Sequence, residues 1–103
     1  MLDLNNLRDI LLPILLPTGV TRIAVFGSTV RDEAQEDSDI DILITLKARD
    51  QRPPLSMFQW IELEETLSRK LNQKVDLVSE DGLSPYIRPY IEHETVIVYE
   101  EGG

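Results

Sequence analysis

The chain has 103 residues, enough for one domain around a single core, and its 42% hydrophobic and 28% charged residues are ordinary for a globular protein. With 19 acidic residues against 10 lysines and arginines and a net charge of −9, it lacks the basic surface that grips a polyanion, so nucleic acid is not the expected substrate. There is no cysteine for a disulfide or thiolate metal site, no apolar run near the ~20 residues that span a bilayer, and no basic start of a signal peptide at Met1–Asn6, so a cytoplasmic protein without membrane contact is expected.

Leu4, Leu7, Leu11, Ile14 and Leu15 recur at helical spacing and predict a packing helix over 4–16, kinked by Pro13 and stopped by Pro17-Thr18-Gly19. Arg22 to Phe26 is short, apolar and partly β-branched, the pattern of a buried strand. Gly27-Ser28 follows, and Ser28 is a good N-cap for a short helix through about Ala34. A second strand opens at Asp39 and runs to Leu46. Its alternation puts Ile40, Ile42 and Ile44 on one face and Asp39, Asp41, Leu43 and Thr45 on the other. After a polar loop, Ser56 to Gln59 forms a capping box, and Trp60, Leu63, Leu67 and Leu71 give the apolar face of a second helix. Lys74 to Val78 reads as a third strand. Ser84-Pro85 reads as a helix start, Pro89 as a limit on its regularity, and Thr95 to Tyr99 as a last strand. The lone His93 reads as a helix-end residue. The whole is expected to be α/β, one domain over 1–103, with a small mixed sheet and helices packed mainly on one face.

Two features carry chemistry. At Gly27 the backbone can take angles closed to other residues and lets a ligand come close. The helix that Ser28 caps would point free N–H donors at it, which suits a phosphate. Ten residues later, Asp39 and Asp41 point the same way, with alpha carbons about 6.5–7 Å apart. Two carboxylates at that spacing can converge on a hard cation, and Mg²⁺ takes oxygen ligands while completing its shell with substrate phosphates. Either feature alone is common as turn or strand-end chemistry; their order along the chain gives them weight.

The string Phe26-Gly27-Ser28, Arg31, Ala34, Ser38-Asp39-Ile40-Asp41 resembles the signature of the polymerase-beta-like nucleotidyltransferases, in particular their smallest branch, the minimal nucleotidyltransferase (MNT) domains. The resemblance covers roughly residues 4–98. It implies that Gly27 and Ser28 hold the triphosphate of ATP, that Arg31 neutralises phosphate charge, and that Asp39 and Asp41 bind one or two Mg²⁺ ions. It also implies a third acid on a later strand. Asp76, in the middle of Lys74 to Val78, is the candidate, with pairing to Lys74 as its alternative. MNT domains are usually paired with a HEPN-domain toxin. The implied function is an antitoxin enzyme that transfers AMP from ATP to a hydroxyl, a tyrosine's above all, of a toxin encoded nearby, in a hetero-oligomer. The alternatives are an antitoxin that works by binding alone and a small-molecule nucleotidyltransferase, for whose acceptor wall 103 residues leave little room.

Overall fold

The computed structural model describes residues 4–26, 39–86 and 88–102. Along them run α1 (Leu4–Leu15), β1 (Val20–Phe26), β2 (Ile40–Leu46), α2 (Met57–Leu71), β3 (Val75–Ser79), α3 (Arg88–His93) and β4 (Val96–Glu100). Single 3-10 turns lie at Leu16–Thr18, Arg49–Gln51 and Glu80–Gly82. The helix expected after Ser28 falls outside the described residues.

The four strands form one mixed sheet in the order β3-β2-β1-β4. β1 runs antiparallel to β2 and β4, while β3 is parallel to β2. Parallel neighbours cannot be joined by a tight turn, and α2 supplies the crossover between β2 and β3. Leu7, Leu11 and Leu15 of α1 and Leu67 of α2 meet Ile23 and Val25 of β1, Ile40, Ile42 and Ile44 of β2, and Val75 and Leu77 of β3 in one buried cluster. α1 contacts α2 and β4, and α2 contacts β3, so both long helices cover the same face. The period of two in β2 thus selects the core face as its sequence predicts.

The opposite face carries Arg22, Ala24 and Phe26 of β1 in register with Thr45, Leu43 and Asp41 of β2. It is closed in its middle, where Ala24 and Leu43 are buried, with Arg22 and Thr45 at one end and Phe26 and Asp41 at the other. The turn Glu80–Gly82 contacts β2, and Leu83 just after it is buried.

Local signals account for most element ends. Pro13 is accommodated inside α1, which gives way to the 3-10 turn at Leu16. Gly19 then adopts a left-handed conformation that closes the segment through an N–H bond to the Leu16 carbonyl. At α2 the capping box is complete: Ser56 Oγ accepts from the Gln59 N–H, and Gln59 Oε1 accepts from the Ser56 N–H. Ser84 makes the bonds of an N-cap, as expected: its Oγ accepts from the Tyr86 N–H and its carbonyl from the Arg88 N–H. Pro89 has no N–H to offer the Pro85 carbonyl, and the regular helix is confined to Arg88–His93.

Candidate active site

Register, not sequence proximity, builds the site. Asp41 on β2 is the partner of Asp76 on β3 in the parallel pair and of Phe26 on β1 in the antiparallel pair. Asp76, Asp41 and Phe26 thus form a row across three adjacent strands, each step close to the strand spacing of about 4.8 Å. Partners in register share a face, so both acids lie on the face away from α1 and α2. Gly27 and Ser28 follow Phe26 directly, and they and Arg31 lie outside the described residues.

Asp76 is exposed, between the buried Val75 and Leu77. It is therefore not a carboxylate buried in an apolar strand: the two valine and leucine side chains face the core while Asp76 faces solvent. The backbone on each side of it is held by α2. Ser68 Oγ accepts from the Val75 N–H at 3.0 Å, and Glu64 Oε2 accepts from the Leu77 N–H at 3.0 Å. These bonds satisfy donors of an edge strand that would otherwise be open to another chain. Sequence reasoning missed both residues, since seven and thirteen positions separate the partners.

Asp39 stands just before β2. Lys74, expected as a possible partner of Asp76, instead places its Nζ 3.9 Å from Asp39 Oδ2. The ladder continues here, with the Ile40 N–H donating to the Lys74 carbonyl at 2.8 Å. Among the described residues, no group of three or more His, Cys, Asp or Glu side chains is gathered closely enough to hold a metal ion. The backbone thus aligns Asp39, Asp41 and Asp76 without closing their carboxylates on one point. That suits their charge, since like charges repel in the absence of a cation. The donor set is all hard oxygen, which fits Mg²⁺, an ion commonly held by one or two carboxylates together with substrate phosphates.

Concavities flank the row on both sides. One, of about 440 Å³, lies between Phe26 and the α3 residues Pro89, Tyr90 and His93. The other, of about 490 Å³, runs along Asp76 and Lys74 beneath Ile61, Glu65 and Arg69 of α2. Each is large enough for part of a nucleotide or for an acceptor side chain.

At the far end of the same face a second polar cluster serves structure. Glu80 Oε2 accepts from Arg22 Nη2 at 2.7 Å and from the Thr45 hydroxyl. Arg88 Nη2 donates to the Glu80 carbonyl at 2.9 Å, tying the start of α3 to the turn after β3. The Thr45 hydrogen bond first, then Arg22 and Arg88, hold the Glu80 carboxyl below its ordinary value against the opposing effect of burial. Nothing in the local sequence marks Glu80, because its partners come from two other strands and a helix.

Comparison with known proteins bears on this geometry. The model of the nucleotidyltransferase domain family matches residues 4–98. Protein adenylyltransferase MntA of Thermococcus cleftensis is 45% identical over 80 residues, which span 78% of this chain and 76% of that protein. A crystal structure of a toxin-antitoxin with AMP-PNP shares the fold at a TM-score of 0.76 and 21% identity, over 92% of this chain and 74% of that one. A complex of tri-AMPylated Shewanella oneidensis HEPN toxin with MNT antitoxin gives a TM-score of 0.71 and 19% identity, over 95% and 73% of the two chains.

Proposed function

Because this chain belongs to the nucleotidyltransferase domain family, we propose that it is an antitoxin enzyme that transfers AMP from ATP to a tyrosine hydroxyl of a HEPN-type toxin encoded beside it. The observation that carries this reading is the row Asp76, Asp41, Phe26, which puts two acids on neighbouring strands and the entry to Gly27-Ser28 at its other end. The adenylyltransferase name of the relative and the AMPylated toxin in the structural neighbour support the group transferred and the kind of acceptor. The AMP-PNP complex supports an adenine nucleotide as donor.

In this reading residues 1–103 act as one minimal nucleotidyltransferase domain. Gly27 and Ser28 bind the triphosphate through backbone and hydroxyl, and Arg31 offsets its charge. Asp39, Asp41 and Asp76 would hold one or two Mg²⁺ ions, which would supply positive charge to favour attack at the α-phosphate and departure of pyrophosphate. The acceptor oxygen bonds to the α-phosphorus as the bond from that phosphorus to the bridging oxygen breaks, and pyrophosphate leaves. In the same reading Asp76 takes the hydroxyl proton. Exposure of Asp76 beside an open groove leaves the acceptor side without a wall, a place for the partner protein to fill. Among the described residues no helix is long and apolar enough to cross a membrane, and we place the reaction in the cytoplasm.

Intact-mass spectrometry of the co-purified pair with ATP and Mg²⁺ tests this, with Asp39→Asn as control. One or more AMP additions to the partner with the wild type and none with the variant are expected. A stable complex in which neither version modifies the partner, yet both neutralise its toxicity, would mean an antitoxin that works by binding alone.

A further inference from the structure

At the end of the sheet away from the acids, the loop after β2 faces the turn after β3 across a concavity of about 500 Å³. Lys47, Arg49 and Arg52 line it, with Leu55 and Trp60 as an apolar wall and Asp81 at one side. These are three of the ten lysines and arginines of a chain with a net charge of −9, gathered within six positions. Asp41 and Leu46 lie near opposite ends of β2, five residues or about 17 Å apart, so the concavity is distinct from the acid row.

Arg52 is held in place from behind. Gly19, at φ +91°, presses against its stem so closely that a Cβ on Gly19 would lie 2.6 Å from Arg52 Cβ. The Arg52 Nε is buried and has no hydrogen-bond partner. That nitrogen is closed to solvent, so a ligand in the concavity would meet the outer guanidinium nitrogens of Arg52. Lys47 Nζ is 3.8 Å from Glu101 Oε1 and is partly matched, while among the described residues no ion pair engages Arg49 or Arg52. Guanidinium groups without a carboxylate partner are suited to a phosphate, which they can meet through paired hydrogen bonds.

We propose that this concavity binds a small phosphate-bearing ligand, its phosphate on Arg52 and Arg49 and any attached ring against Leu55 and Trp60. The ligand is either free phosphate or a nucleoside monophosphate, and the two sources separate by experiment. Inorganic phosphate and AMP are titrated by calorimetry in EDTA, in an Asp39→Asn, Asp41→Asn background that disables the acid row. Trp60, the single tryptophan, is followed by fluorescence. Arg52→Gln is expected to weaken both probes by about tenfold or more, the loss of a charge-assisted hydrogen bond. Arg49→Gln, at an exposed position, should weaken them in the same direction without affecting the fold. Tighter binding of AMP with a change in Trp60 emission assigns a nucleotide; equal binding with unchanged emission assigns phosphate. Neither probe binding, or binding that both variants leave intact, overturns the site.

Discussion

Lys74 Nζ lies 3.9 Å from Asp39 Oδ2 because the parallel register that pairs Ile40 with Val75 also sets the two preceding residues side by side. An ammonium therefore stands beside a carboxylate proposed to bind metal, on a side chain that is 77% exposed and free to move away. If Asp39 is a metal ligand, Lys74 competes with the ion for it. Lys74→Met should then tighten Mg²⁺ binding by the apo protein about twofold to fivefold, the scale of an exposed ion pair. Calorimetric titration of Mg²⁺ checks this, and unchanged affinity would separate Asp39 from the metal site.

Asp41→Asn and Asp76→Asn should each abolish Mg²⁺-dependent transfer while leaving the melting temperature the same or higher. Each change removes a charge proposed to hold Mg²⁺ and almost no volume, and it relieves repulsion between register partners on neighbouring strands. Thermal melts with and without Mg²⁺-ATP report both effects. A variant that still gains stability from Mg²⁺-ATP and turns over like wild type would remove its residue from the site.

Glu80 should govern part of the acid sensitivity of the fold. Its carboxyl is held below the ordinary 4.5, so the folded state binds its proton less readily than the unfolded chain does. The stabilisation is complete above the ordinary value and fades as pH falls through the lowered one. Glu80→Gln should cost about 1–2 kcal/mol at neutral pH, allowing for solvent screening of the half-open Arg22, and should flatten the loss of stability on acidification. Urea unfolding at neutral pH and below the carboxylate range measures both. Transfer activity should persist, since the cluster lies at the opposite end of the face from the acids.

Gly19→Ala should be among the more damaging single-methyl changes in the chain. The position combines a left-handed φ of +91° with a contact of 2.6 Å to Arg52 Cβ for any added side chain. Backbone strain and displacement of the 49–52 turn together should cost about 1–3 kcal/mol. Gly82→Ala is the control, because nothing lies within 4 Å of its added Cβ. Equal melting temperatures for the two variants would refute this reading of Gly19.

By itself the sequence determined the local elements and the core face. Alternation in β2 separates Ile40, Ile42 and Ile44 from Asp39 and Asp41, helical spacing selects Leu7, Leu11, Leu15 and Leu67, and Ser56 with Gln59 starts α2, because each of these rests on contacts a few residues apart. The spacing from Gly27-Ser28 to Asp39 and Asp41 was legible for the same reason, and with it the family. Ser84 was legible as a helix cap as well, since both of its bonds reach only two and four residues ahead, while the regular part of α3 starts at Arg88. Only the tertiary structure decided what depends on register. It set Asp76 beside Asp41, gave Lys74 to Asp39, recruited Ser68 and Glu64 to the backbone around Asp76, and joined Glu80 to Arg22 and Thr45. These partners lie up to 58 positions apart, and a strand's own pattern says which face a side chain takes but not which strand comes to lie against it.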